Sequence, residues 1–271
     1  MLASGPGWRA DDVICTAGPD DRPFEEAHGG FAVAAVMSGT FRYRASHGSA
    51  VMAPGALLLG NEGACFECSH AHGAGDRCLS FKFTGDFLEK VARGVPRARS
   101  AAFAGPRVAP QPALERLFAD AEIARQDGDS LELGEIALRI AGAALSPCGP
   151  NGAARTPSSG DERRVARAIR LVEEDPARPI DLDGLSGEAR TSPYHFLRVF
   201  RAVTGETPYQ FVLRQRMRQA AVRLRTSDEQ VSAIAFDAGF GDLSTFNRRF
   251  RRVMGQPPMS FRAGREARRA A

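Results

Sequence analysis

Apolar positions change their period once along this chain. Between residues 30 and 83 they come in short runs or alternate with polar ones, as in FAVAAVMSGTFRYRAS, SAVMAPGALLLGN and CLSFKF, with Gly, Pro and His between the runs. A period near two, interrupted by turn formers, predicts several short strands, and strands at such spacing predict a small barrel or sandwich. The period then becomes helical. Leu114, Leu117, Phe118 and Ala121 form one stripe in PALERLFADAEIARQ, and Leu133, Ile136, Ala137 and Ile140 form another in SLELGEIALRIAGAAL. Such stripes are expected to pack on their own barrel, with subunit pairing as a second use. After residue 161 the patterned stretches are helical, from DERRVARAIRLVEED with its acidic first turn to the long PYQFVLRQRMRQAAVRLR, where Pro208 suits the first turn.

The segment SPCGPNGAARTPSSGD, residues 146–161, has no apolar period and is rich in Pro, Gly and Ser. That is linker chemistry, so the chain is expected to divide into a first domain over 1–145, a linker over 146–161 and a second domain over 162–271. A chain of 271 residues is long enough for two such cores. Charge follows the same division. From Asp161 onward the chain carries 21 Arg, no Lys and a net charge of +7, whereas the first 160 residues carry −3. A basic module joined to a mildly acidic body fits a polyanion partner, although a solvated arginine-rich surface would look the same. No apolar run is long enough for a signal-peptide core or a membrane span, so a cytoplasmic protein without membrane attachment is expected.

The second domain contains a repeat. Leu182, Leu185 and Ala189 match Val231, Ile234 and Ala238 at an offset of 49, while Phe196, Phe200, Val203, Gly205 and Pro208 match Phe246, Phe250, Val253, Gly255 and Pro258 at an offset of 50. The extra residue falls in the turn at GFGD, so two copies of one supersecondary unit are expected. Each copy has the logic of a helix-turn-helix. A short first helix offers Leu or Ile and a small Ala, and a second helix begins at a polar cap, Ser192 before Pro193 or Asp242. The face opposite the aromatic stripe carries Tyr194, Arg198 and Arg201 in copy one, and Ser244, Thr245, Arg248 and Arg251 in copy two. An α-helix fits the major groove of DNA, and arginine can pair there with guanine O6 and N7.

These motifs resemble the AraC/XylS family of bacterial transcription regulators, over roughly residues 162–264. IAFDAGFGDLSTFNRRFRRVMGQPPMSFR is similar to the family signature nearly throughout, with Gly239, Phe240, Phe246, Phe250, Gly255, Pro258 and Arg262 standing where the family has those residue types. SPYHFLRVFRAVTGETP of copy one is equally similar. The resemblance implies base-facing roles for Tyr194, Leu197 and Arg198 in the first recognition helix, and for Leu243, Ser244, Thr245 and Arg248 in the second. It further implies that both helices enter successive major grooves, that the protein is a homodimer, and that double-stranded DNA, an effector and RNA polymerase are its partners. Arg214, Arg216 and Arg218, on the helix between the copies, are expected to touch phosphates or solvent.

The first half resembles the cupin-like sensor domain common in that family. The fold class is therefore expected to be α+β, with an N-terminal cupin-like β-barrel and packed helices, then a C-terminal all-α domain with two helix-turn-helix motifs. Gly55-x5-Asn61-x-Gly63 is similar to the second cupin motif. Metal-binding cupins place a His just beyond it, where Phe66 stands, and present a His pair where His28 is alone. A binding shell fits better than a catalyst. No nucleophile elbow, phosphate loop or His-Glu-x-x-His is present, so the chain is not expected to be an enzyme. A cupin-type metalloenzyme with a DNA-binding appendage is the alternative, and an architectural DNA-binding protein is a third class.

One motif stands outside this scheme. Cys65-x2-Cys68-x-His70-x-His72-x5-Cys78 gathers three thiols and two imidazoles. A Cys-x2-Cys turn can bring two sulfurs onto one ion, with His or the later Cys completing a set for zinc or another thiophilic metal. The same thiols could form a redox switch if a neighbour such as Arg77 stabilises a thiolate, or they could be small buried hydrophobes. All three readings stand on sequence alone, and Cys15 and Cys148 are expected to be unrelated to the cluster.

Overall fold

The computed structural model describes residues 1–269 apart from Phe24, 71–74, Pro96, Arg97, Arg99 and 147–156; the side chains of Tyr194 and 264–269 also lie outside the description. The strands are β1 (Ala3–Gly5), β2 (Trp8–Cys15), β3 (Glu25–Ala27), β4 (Phe31–Gly39), β5 (Phe41–Ala45), β6 (Gly48–Met52), β7 (Leu57–Gly60), β8 (Cys65–Ser69), β9 (Asp76–Phe83) and β10 (Arg107–Val108). They form two antiparallel sheets, ordered β1-β2-β9-β4-β7-β10 and β3-β8-β5-β6. Strand alternation divides the larger sheet into two faces. Val33, Ala35, Leu57, Leu59, Leu79, Phe81 and Phe83 pack under the helices α1 (Gly85–Gly94), α2 (Pro112–Asp127) and α3 (Ser130–Leu145). Ala34, Val36, Leu58 and Cys78 turn the other way and meet Phe41, Tyr43 and Met52 of the smaller sheet. The predicted strands and both helical stripes of the first half are thus present, while β1, β2, β3, β8, β10 and α1 are additional.

The second half is helical: α4 (Ser159–Glu174), α5 (Leu182–Glu188), α6 (Pro193–Thr204), α7 (Pro208–Thr226), α8 (Val231–Asp237), α9 (Leu243–Met254) and α10 (Pro258–Arg269). Helix α4 starts within the stretch expected to be linker, because Ser158 and Asp161 form a capping box. The repeat is exact in helix position. Helices α5 and α8 lie 49 residues apart, and α6 and α9 lie 50 apart. At the turn where the offset changes, copy one places Arg190 at φ 51° and copy two places Gly239 at φ 78°. Glycine is required at the second position, because a Cβ there would sit 2.5 Å from the Ala177 carbonyl oxygen.

The two halves share their cores. Val51 and Ala53 of the first half pack into the cluster built by Phe196, Phe200 and Phe211. Ala119 and Ile123 of α2 pack into the cluster built by Phe246, Phe250 and Phe261. Helix α2 is therefore apolar on two sides, toward the sheet and toward α7 and α9. A polar cluster seals the junction. Glu115, fully buried, lies 3.0 Å from the Arg214 guanidinium and 3.1 Å from that of Arg218. Arg214 also pairs with Glu206 at 2.5 Å and donates to the Pro54 carbonyl at 2.7 Å. Burial by itself would lower the Arg214 pKa, but the two carboxylates outweigh it and hold the group charged.

This corrects the expectation for the α7 arginines. Arg214 and Arg218 are buried and face the first half rather than phosphate. Arg216 donates to the carbonyls of Pro176, Gly239 and Arg178, tying the approach to α5 to the turn of the second copy. A helical wheel shows that the three cannot share one face. It does not show that Glu115, about a hundred residues upstream, supplies the counter-charge.

Candidate nucleic-acid interface and effector cavity

Helices α6 and α9 owe their placement to strong ends. The Ser192 hydroxyl accepts from the His195 amide and Pro193 occupies the first turn; the Asp242 carboxylate accepts from the Thr245 amide at 2.7 Å. Both helices stop at a left-handed glycine, Gly205 at φ 93° and Gly255 at φ 79°. Phe196 and Phe200, or Phe246 and Phe250, anchor the inner face, with each ring pair 5.4 Å apart. The outer faces expose Leu197, Arg198 and Arg201 on α6, and Leu243, Ser244, Arg248 and Arg251 on α9, with Thr245 half-buried. Tyr194 stands in the first turn of α6, its side chain outside the described residues. Leu197 also lies in a groove with Tyr209 and Arg249, the Arg249 guanidinium standing 5.3 Å over the Tyr209 ring. That groove runs between the two copies.

The first half holds a cavity of about 690 Å³ between its sheets. Its wall includes His28, Phe41, Cys68, His70, Asp76 and Cys78, together with Cys15 at the end of β2. His28 stacks on Phe66 at 4.1 Å and lies 2.9 Å from the Tyr43 hydroxyl. Tyr43 gives its own proton to the Leu59 carbonyl, so His28 Nε2 is the donor to it. Burial, then the charges of His47 and Lys82, hold the His28 imidazole down to about 4, and it is neutral near pH 7.

The thiol motif is arranged differently from its sequence spacing. Cys65 and Cys68 belong to strand β8 rather than a turn, and residues three apart on a strand point to opposite faces. Cys65 is exposed and bonded to Glu25, while Cys68 lines the cavity. The spacing therefore does not bring these two sulfurs together. His72 and Cys148 lie outside the described residues. Cys15, expected to be unrelated, joins the group, because β2 pairs with β9 and sets Cys15 opposite Asp76. Among the described residues, Cys15, His70 and Asp76 offer ligand atoms that all lie within 4.8 Å of one another. The signal missed at the sequence level was Asp76 itself, two residues before Cys78.

The redox reading of Cys68 and Cys78 loses its thiolate. Burial and the Asp76 charge push the Cys68 thiol up to about 12 and Cys78 well above its ordinary value. Arg77 points to the other face of the sheet, where it holds Asp12 at 2.8 Å and Glu122 at 2.9 Å.

A family model described as a helix-turn-helix domain matches residues 185–264, from α5 into α10. The regulatory protein SoxS of Salmonella typhimurium is 32% identical over 98 residues, 36% of this chain and 92% of SoxS. The HTH-type transcriptional activator RhaS of Escherichia fergusonii is 34% identical over 111 residues, 40% of each chain. Among solved structures, the DNA-binding domain of the global transcriptional factor AdpA in complex with a target DNA is 34% identical, covering 40% of this chain and 96% of that one at a TM-score of 0.38. The second half is thus a helix-turn-helix DNA-binding domain. With nearly the whole of SoxS covered at this identity, the chain belongs to the AraC family of transcription regulators. Among the described residues no helix is long and apolar enough to cross a membrane.

Proposed function

We propose that the chain is a sequence-specific transcription regulator of the cytoplasm that reads DNA with α6 and α9 as paired recognition helices. Its first half is a cupin-like barrel that senses an effector in the cavity between its sheets. The observation that carries the reading is the repeat. Two units of the same helix spacing each bury an aromatic stripe and expose arginine on the opposite face. Two copies reading successive major grooves of one DNA face, homodimer formation and contact with RNA polymerase belong to the same proposal and rest on the family likeness.

Effector action is a population shift between arrangements of the two halves. The shared cores and the Glu115–Arg214–Arg218 cluster support such coupling, since a change in the first half meets α7 and α9 directly. The test is a binding titration of the full chain on its operator. Arg198→Ala and Arg248→Ala each cost about 1–3 kcal/mol on the specific site. If both variants bind the operator like the parent protein, the assignment of these faces is wrong.

A further inference from the structure

We propose that Cys15, His70 and Asp76 form a binding site for a borderline divalent cation of the zinc type, in the wall of the sensor cavity. The inference rests on the reading of the first half as a sensor, and it replaces the Cys-x2-Cys set that the sequence spacing suggests. Three elements converge on the site. Cys15 ends β2, Asp76 begins β9 as its cross-strand partner, and His70 follows β8 of the opposite sheet. His70 Nε2 and Asp76 Oδ2 are 2.5 Å apart, both side chains are nearly inaccessible, and the imidazole stacks on Phe41. The other Asp76 oxygen accepts from the Cys78 thiol at 3.5 Å, which fixes the carboxylate from behind.

The donor set selects the ion. A thiolate, a carboxylate and a neutral imidazole cancel the charge of a divalent cation, so the filled site is neutral in a partly enclosed cavity. Calcium and magnesium take oxygen donors, and Cu(I) favours all-sulfur sets; one S, one N and one O suit Zn(II). Zinc bonds of 2.0–2.3 Å set ligand atoms roughly 3.5 Å apart, so on loading the His70 Nε2–Asp76 Oδ2 pair opens from 2.5 Å while the set, now within 4.8 Å, draws together. Cys68 lines the same cavity but is not one of the three clustered donors.

The position also explains what the ion would signal. Asp76 pairs with Gly39 as well as with Cys15, next to a bulge in β4 between Val36 and Ser38. The Gly39 amide donates at 3.0 Å to Glu173 of α4 in the DNA-binding half. Closure of the ligands around an ion pulls on the residue that faces this contact.

The experiment uses full-length, reduced, chelator-stripped protein titrated with Co(II) and then Zn(II). A stoichiometric thiolate-to-cobalt charge-transfer band that Zn(II) abolishes is expected. The band disappears in Cys15→Ser, affinity falls more than ~10-fold in His70→Gln and Asp76→Asn, and Cys65→Ser behaves like the parent. No band in folded parent protein overturns the site, as does a band kept in Cys15→Ser and lost in Cys65→Ser. Should Cys15→Ser fold poorly, alkylation of Cys15 in the parent, read by mass spectrometry, takes its place: protection by zinc supports the site and unchanged labelling overturns it. Operator binding is measured in parallel. Protein that binds DNA but no cobalt defeats the metal site alone, whereas protein that binds cobalt but no DNA defeats the regulator reading and leaves the site standing.

Discussion

Glu115 is the place to break the junction between the halves. It is fully buried, it comes from the first half, and both its guanidinium partners come from α7. Arg214 keeps Glu206 and the Pro54 carbonyl when Glu115 is removed, but Arg218 loses its only carboxylate contact within 4 Å among the described residues and is left over the Phe118 ring. Removing one partner of a buried pair strands a desolvated charge and costs about 3–5 kcal/mol. That is a factor of roughly 10² to 10⁴ in the ratio of docked to undocked molecules, against a usual total stability of about 5–15 kcal/mol. Glu115→Ala is therefore expected to separate two events that coincide in the parent protein. The single tryptophan, Trp8, packs on the core of the first half and reports its unfolding in urea by fluorescence, while far-UV circular dichroism follows the helices. In the variant the helical signal is lost at lower urea than the Trp8 signal. Replacing both charges, Glu115→Leu with Arg218→Met, strands nothing and restores most of the loss. A change in midpoint equivalent to less than about 0.5 kcal/mol for Glu115→Ala would refute the reasoning.

Three other perturbations follow from single contacts. Gly55→Ala is expected to undock the halves as strongly, because Gly55 has φ 94° and a Cβ would lie 1.9 Å from an Arg214 nitrogen; the readout is again divergence of the two urea transitions. Glu173 has its carboxyl pushed up to about 7 by burial, against the opposing Gly39 hydrogen bond and the charges of Arg218 and Arg170. The folded protein thus holds a proton that the unfolded chain releases near 4.5, and the contribution to stability is complete below that pH and lost as pH rises through 7. Glu173→Gln, which keeps an acceptor for Gly39, should flatten the fall in stability between pH 5 and 7, and an unchanged pH profile would contradict this. Asp242→Ala removes the cap of α9 and should cost about 0.5–2 kcal/mol together with operator affinity, whereas Asp242→Ser retains most of both.

What the sequence revealed and what it hid divide along one physical line. Local patterns survived. The periods of the strands in 31–83, the stripes of α2 and α3, the polar caps Ser192 and Asp242, and the offsets of 49 and 50 are all properties of neighbours in the chain. The features that were missed depend on partners far away. WRADDVIC carries two aspartates and a weak alternation, so its pattern does not announce β2, and with that strand goes the register that brings Cys15 to Asp76. Arg214 and Arg218 look like a phosphate-facing pair until α2 places Glu115 between them. Cys65 and Cys68 invite a metal turn only if the backbone turns there, and pairing of β8 with β3 and β5 keeps it extended.

The shared cores have a consequence for anyone who would cut this protein in two. A fragment beginning at α4 carries away Arg214 and Arg218 without Glu115, and loses Val51, Ala53, Ala119 and Ile123 from the clusters they complete. Such a piece would show solvent the Arg218 guanidinium, with Arg214 still held by Glu206, and two apolar hollows that the first half fills in the intact molecule. Operator preferences measured with it would describe a piece of altered charge and depleted core, the scissors more than the regulator.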